Sequence, residues 1–111
     1  MALIAEARHG GTLSSRTFIP HRCHASIGVL GAVSVASACL IPGSVTQGLA
    51  QVGDSAELRL SVEHPSGEFS VLLQRDPNHS GAASLLGAGL LRSARLIFSG
   101  EVCIPGAVWP H

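Results

Sequence analysis

Two short clusters carry the side chains best suited to chemistry or ligand binding. His21, Cys23 and His24 lie together in "HRCHAS", and Arg92 and Arg95 stand three residues apart in "LLRSARLIF". Imidazole nitrogens and a thiol are the donors of a zinc site, but no second Cys/His pair follows at zinc-like spacing. Two guanidinium groups can bind one anion together if both point the same way. The residue types therefore predict no metal site and one candidate anion site.

Composition excludes several classes of function. A chain of 111 residues has room for one small domain. Its seven basic side chains balance its seven acidic ones, so nothing favours a nucleic-acid or membrane partner. The basic residues are all arginines, so no lysine base or Schiff base can come from this chain. Three cysteines, an odd number, favour reduced thiols and a cytoplasmic location.

A long uncharged segment is predicted to form the helix that positions these groups. Small and apolar residues run from Cys23 to Leu40, and Pro42-Gly43 would end the helix. Gly28, Ala32 and Ala36 are four residues apart, so they share one face where another backbone can come close. The segment also follows a basic residue as a signal-peptide core does, which leaves a small exported β-domain with an N-terminal signal as an alternative.

Period-two patterns predict the strands. "ELRLSVEH" and "GEFSVLLQ" alternate apolar and polar residues, and Pro65-Ser66-Gly67 between them predicts a β-hairpin. Two further strands are predicted at about residues 85–93 and 94–104, whereas residues 1–19 are predicted to be a leader without regular structure. A helix followed by four strands predicts the α+β class with a mostly antiparallel sheet.

Three stretches, in this order, resemble one protein family. "HRCHASIGVLGAVSVASACLIPGSV" is similar to the helix segment of the PrpF family, the 2-methylaconitate cis-trans isomerases and 4-oxalomesaconate tautomerases. "VEHPSGEFSV" is similar to the His-Pro-Ser-Gly turn of that family, and "LRSARLIFSGEVCIPGAVW" is similar to its C-terminal signature. The resemblance reaches only the C-terminal part of the family's pattern. Residues 20–111 are therefore expected to be an incomplete C-terminal domain.

The resemblance implies a fold and an activity. The fold would be diaminopimelate-epimerase-like, in which each of two domains wraps a sheet around a central helix, and this chain would be a partial second domain. The activity would be a cofactor-independent proton shift that isomerises a double bond in an aconitate-like tricarboxylate. The family's acid and base lie in the first domain, so no catalytic residue is assigned here and the isolated chain is expected to be inactive. The alternative is a non-enzymatic remnant that associates with itself, or with a full-length relative, through its exposed cleft face.

The resemblance also implies which residues hold the substrate. His21 would stand just ahead of the helix, where backbone N–H groups and the helix dipole attract a carboxylate. Ser66 and Gly67 would offer a hydroxyl and backbone donors to another carboxylate. On residue types alone, Ser66-Gly67 is better explained as a plain tight turn, and only the resemblance makes the two interpretations equal. The alternative for His21, a capping or surface histidine, is also favoured over substrate contact.

Arg92 and Arg95 are expected to make structural contacts and not to bind the substrate. If both flanking segments are strands, a spacing of three puts Arg92 and Arg95 on opposite faces, so they cannot form one clamp. At least one of them is then expected to pair with Glu101 or with a backbone carbonyl.

Overall fold

Within residues 1–109, which the computed structural model describes, one α-helix packs against a five-stranded sheet. The elements are β1 (Ala2–Ala5), β2 (Leu13–Thr17), α1 (Val29–Ala38), β3 (Glu57–His64), β4 (Gly67–Arg75), a short 3-10 helix (Gly81–Ser84) and β5 (Leu85–Leu90). The strands lie side by side in chain order; β2 and β3 are parallel, and the other three neighbouring pairs are antiparallel. The predicted α+β class with a mostly antiparallel sheet is therefore confirmed.

The core lies between α1 and the inner face of the β3–β4 hairpin. Ala32 and Ala36 have no exposed surface, so the small-residue face predicted for the helix does bring α1 close to the sheet. The inner face of the hairpin is apolar because every second residue of each strand points to the same side. Its buried cross-strand pairs are Leu58–Leu73, Leu60–Val71 and Val62–Phe69.

The helix α1 begins later than the sequence predicts. Its first residue is Val29 and not Cys23. The preceding segment folds back on itself instead, and the His24 N–H donates to the Thr17 carbonyl at 2.7 Å. Gly28 has extended dihedral angles, with φ of −72° and ψ of 157°, so the helix does not continue through it toward Cys23. The prediction of the helix start is therefore wrong by about one and a half turns.

The C-terminal end of α1 is closer to the prediction. The helix ends at Ala38, whose carbonyl accepts hydrogen bonds from Ser44 Oγ at 2.8 Å and from Thr46 Oγ1 at 3.0 Å. Gly43 has a φ of +75°, a left-handed conformation that favours glycine. The chain thus reverses direction next to the Pro42-Gly43 stop signal.

The sheet covers only one side of α1. Leu30 is 82% exposed on the outer side, so the face of α1 that points away from the sheet is open to solvent. Since α1 has ten residues, it is too short to cross a lipid bilayer, and none of the helices in residues 1–109 is long and apolar enough to do so.

The prediction that residues 1–19 have no regular structure is wrong. The strands β1 and β2 form a hairpin, and β2 joins β3 in parallel with Leu13 opposite Val62. Ser15 is 1% exposed, and its hydroxyl donates to the Glu63 carbonyl at 3.0 Å. The sequence "LSSRT" does not alternate apolar and polar residues. This strand therefore forms because it pairs with β3, which is distant in the chain, and not because of a local hydrophobic pattern.

The strand predicted at residues 94–104 does not form, although β5 confirms the first of the two late strands. Residues 91–104 have no regular structure after β5. A strand obtains its hydrogen bonds from a neighbouring strand, and no described strand lies beside this segment. The Arg92 guanidinium lies 5.4 Å from the centroid of the Phe69 ring, a cation–π contact. No ion pair within residues 1–109 joins either late arginine to Glu101.

Candidate functional site

The tip of the β3–β4 hairpin packs against the segment that leads into α1. The Ser66 hydroxyl donates to the Ala25 carbonyl at 2.7 Å, and it also lies 3.3 Å from His64 Nδ1. On the other side of the same ring, His64 Nε2 lies 3.4 Å from Ser26 Oγ. Gly67 follows Ser66 and begins β4. We call Ala25, Ser26, His64, Ser66 and Gly67 the corner.

The start of α1 places an electropositive group beside the corner. Gly28 is the N-cap residue and has no side chain to cap the helix. The first-turn N–H groups of a helix have no partner within the helix, and they carry the positive end of its dipole. Ser26 stands two residues ahead of this N-cap, and its N–H donates to His24 Nδ1 at 3.0 Å. Hydroxyls, imidazole nitrogens and a helix start together suit a small anion such as a carboxylate.

Two of the three predicted substrate-binding residues lie in the corner. Ser66 and Gly67 occupy the hairpin turn, as predicted. His21 lies elsewhere, exposed in a small loop closed by the bridge between Phe18 and Cys23. It stands eight residues before Val29, so the premise that His21 directly precedes the helix is wrong.

The sequence-based prediction missed His64 and Ser26. His64 links the two halves of the corner because each of its ring nitrogens lies within 3.4 Å of a serine hydroxyl. One signal was available for His64, which directly precedes Pro65-Ser66-Gly67 in the motif that carries the family resemblance. Ser26 gave no such signal, since it stands among residues predicted to be inside a helix and its contact with His64 spans 38 positions.

A cleft of about 1120 Å³ opens on the outer face of the sheet, beside the corner. Its lining includes the carboxylates of Glu6, Glu63 and Glu68, the guanidinium of Arg59, and the turn residues of the corner. Three acidic groups against one arginine disfavour an anionic ligand on the cleft floor. A ligand that carries carboxylates is therefore better placed at the corner than on the outer face of the strands.

The cysteines do not contribute to the corner. Cys23 and Cys103 are exposed free thiols, and the exposure of Cys103 departs from the strand position expected for it. Cys39 follows the last helical residue and is partly buried, and burial raises the pKa of its thiol, so it stays neutral at pH 7. No cluster of three or more His, Cys, Asp or Glu side chains suited to a metal occurs within residues 1–109.

Comparison with known proteins gives the class of the chain. A 4-oxalomesaconate tautomerase from Pseudomonas putida is 55% identical over 109 residues, which cover 98% of this chain and 29% of the relative. A (4E)-oxalomesaconate Delta-isomerase from a Novosphingobium species is 51% identical over 104 residues, which cover 94% of this chain and 28% of the relative. The chain therefore spans less than a third of the length of these relatives, both of which are isomerases by name.

The family assignment follows from a second comparison. Residues 5–105 match the family described as PrpF protein. The match extends over nine-tenths of the chain and includes β2, which the sequence prediction had placed in a leader. The chain belongs to the PrpF family.

Proposed function

We propose that this chain forms the substrate-holding part of a PrpF-family isomerase that shifts a proton, without a cofactor, in an unsaturated tricarboxylate. Both relatives are named for oxalomesaconate, and we extend that substrate class to this chain. The observation that carries the proposal is the corner, where Ser66 ties the hairpin turn to Ala25 just ahead of the start of α1. The corner provides donors and a helix dipole for one carboxylate of such a ligand.

The proposed role of the corner is to hold charge during the proton shift. Removing a proton beside a carboxylate builds negative charge on its oxygens, and donors that are already in place stabilise that charge. In this proposal the unpaired first-turn N–H groups of α1 donate to the carboxylate, while Ser66 and His64 hold the Gly67 turn beside them through Ala25 and Ser26. The reaction also needs an acid and a base. We assign neither to this chain, which contains no lysine, and propose that both lie in the part of the family protein outside it.

The proposed fold of the whole protein is diaminopimelate-epimerase-like, with this chain as part of one of its two domains. Two observations support this. The sheet covers one side of α1 and leaves Leu30 on the other side 82% exposed, which suits a helix that a larger sheet would enclose. Residues 91–104 have no regular structure and are exposed, which suits a segment that pairs with strands outside this chain.

A ligand titration tests the proposed function. We expect oxalomesaconate to shift the backbone amide signals of residues 24–31 and of His64, Ser66 and Gly67 in an NMR titration of the chain. Ser66→Ala should weaken binding roughly three- to tenfold, the effect of losing one neutral hydrogen bond that shapes the site. Ser55→Ala, at an exposed position outside the corner, is the matched control and should bind as the wild type does.

Two results would contradict the proposal. Absence of amide shifts at the corner at millimolar ligand would reject it, and so would equal affinity for the wild type and Ser66→Ala. We also expect the 111-residue chain alone to show no turnover of oxalomesaconate, because it carries no lysine. Measured turnover by this chain would contradict that part of the proposal.

A second candidate function, self-association, is favoured by a specific observation. The radius of gyration is 18.5 Å, whereas a compact domain of this length has about 13 Å. Residues 91–109, which we call the late segment, also expose more than half of the surface of eight large apolar side chains, which are Leu91, Leu96, Ile97, Phe98, Val102, Ile104, Val108 and Trp109. Exposed apolar area of this extent is typical of an interaction surface.

Analytical ultracentrifugation tests self-association. We expect the wild-type chain to form dimers at tens of micromolar, and Ile97→Ser together with Phe98→Ser to shift it toward the monomer, since both side chains are more than three-quarters exposed. Leu3→Ser is the control, because Leu3 is an exposed leucine on β1, outside the late segment. A wild-type monomer that binds no hydrophobic dye would rule this candidate out.

A further inference from the structure

Glu63 is a buried carboxylate that the proposed function does not use. It is 4% exposed, although it lies on the outer, polar face of β3. Its oxygens accept three backbone hydrogen bonds from the loop between β1 and β2: Oε2 from the Arg8 N–H at 2.8 Å, and Oε1 from the His9 N–H at 2.7 Å and the Gly11 N–H at 3.0 Å. One side chain thus satisfies three donors of a loop that is more than 50 residues away in the chain.

The loop has the backbone that this arrangement requires. Gly10 has a φ of +86°, a left-handed conformation that favours glycine. A Cβ atom on Gly11 would come within 2.8 Å of Glu63 Cγ and 3.1 Å of the Ser61 carbonyl oxygen, so only glycine lets the loop approach this closely. Thr12 continues the contact, since its N–H donates to the Ser61 carbonyl at 2.8 Å. The glycines of "HGGT" therefore allow the loop to approach the Glu63 carboxylate and β3 closely.

The backbone donors of the loop stabilise the negative charge of Glu63, which another acidic side chain faces. Glu68 stands directly opposite on β4, so two like charges face each other across the ladder. The loop contributes Arg8 and His9, and the paired residue on β2 is Ser14, which is uncharged. The backbone N–H of Arg8 is the largest influence that holds the pKa of Glu63 below its usual range, followed by those of Gly11 and His9, while burial opposes them.

We propose that Glu63 is a positioning residue whose carboxylate holds residues 8–12 in place as one wall of the cleft that includes the turn of the corner. The cleft is lined by loop residues such as His9, Gly11 and Thr12 and also by Ser66 and Gly67. Because Glu63 directly precedes His64, one short stretch of β3 fixes both the loop wall and the hairpin tip. This role concerns the shape of the cleft and goes beyond the ligand assigned above, so its test needs no ligand.

Amide hydrogen exchange at neutral pH tests the proposal. We expect Glu63→Gln to speed exchange of the Arg8, His9 and Gly11 amides by about tenfold or more, because hydrogen bonds to a charged acceptor are stronger than those to a neutral one. Amides in the middle of β3 and β4 should keep their wild-type exchange rates. Glu68→Gln is the matched control, since Glu68 is the other acid of the same cross-strand pair and bonds to Ser61 and not to the loop.

A pH titration of the wild type provides a second measurement that needs no substitution, so it remains decisive if a variant fails to fold. The side-chain carboxyl carbon signal of Glu63 should change only below the usual range of a glutamate pKa, as the lowered pKa of Glu63 requires. A Glu63 carboxyl that titrates in the usual range would overturn the proposal. So would unchanged loop exchange in Glu63→Gln, or an equal increase at every amide of the sheet.

Discussion

Leu73→Ala is expected to lower the free energy of unfolding by about 2–5 kcal/mol, the usual cost of removing a fully buried leucine and leaving a cavity. Leu73 is 1% exposed, and it lies on β4 between Leu58 of β3 and Ala88 of β5. It is therefore part of the buried core. A small domain has a total stability of roughly 5–15 kcal/mol. The loss is therefore a large fraction of what holds this chain folded, and urea denaturation followed by far-UV circular dichroism measures it.

Leu72→Ala is the matched control for that measurement. Leu72 is the preceding residue on the same strand but points to the outer face, where it is 41% exposed. We expect its replacement to cost less than about 1 kcal/mol, because little apolar area is returned to water and no cavity forms. Equal losses for the two variants would mean that the inner and outer faces of β4 are wrongly assigned.

Gly67→Ala is expected to destabilise the chain by about 1–3 kcal/mol and to disturb the corner. Gly67 has a φ of +149°, a conformation that residues with a side chain rarely adopt. A Cβ atom there would lie 3.8 Å from His64 Cε1, an ordinary contact, so the cost comes from the backbone and not from a clash. If the turn relaxes to relieve the strain, Ser66 loses its contact with Ala25. Denaturation and the amide signals of residues 24–26 report the two effects.

Gly89→Ala separates the backbone cost from the mere addition of a methyl group. Gly89 lies on β5, and a Cβ atom there would also have its nearest neighbour, Leu72 Cβ, at 3.8 Å. Its φ is not in the left-handed region, so alanine is allowed, and the smaller entropy of the unfolded alanine chain should leave stability unchanged or slightly raised. A loss at Gly89 as large as the loss at Gly67 would contradict the backbone explanation.

The two faces of the β3–β4 hairpin have different roles. The inner face carries the buried apolar ladder against α1, and the outer face carries Arg59, Ser61, Glu63 and Glu68 along the cleft. Both follow from one alternating pattern, because successive side chains of a strand point to opposite sides. Stability and the cleft lining are thus encoded in interleaved positions, and a shift of one residue in register would exchange them.

Much of this hairpin was predictable from local sequence. The alternation in "ELRLSVEH" predicted β3, and Pro65-Ser66-Gly67 predicted the turn that carries two residues of the corner. These features depend on neighbours within a few positions of one another, which is the range that propensity and periodicity describe. The family resemblance marked the same turn independently, and the match over residues 5–105 confirmed the family.

Other features lay beyond local sequence. The contact of Ser26 with His64 spans 38 positions, and the hold of Glu63 on the 8–11 loop spans more than 50. The sequence around Ser26 or around residues 8–11 contains no pattern that predicts the distant residue it contacts. At residues 91–104 the local sequence is misleading in the opposite way. The apolar residues favour a strand, but the segment forms none because no described strand lies beside it.

The sequence by itself determined the β3–β4 hairpin, its turn and the small-residue face of α1, because each of these follows from short-range geometry of the backbone. The tertiary structure alone decided where α1 begins, that "LSSRT" becomes a strand, and that His64 rather than His21 belongs to the corner. The physical reason is the same in each case. Backbone and side-chain donors must find acceptors, and here the acceptors come from segments far away in the chain.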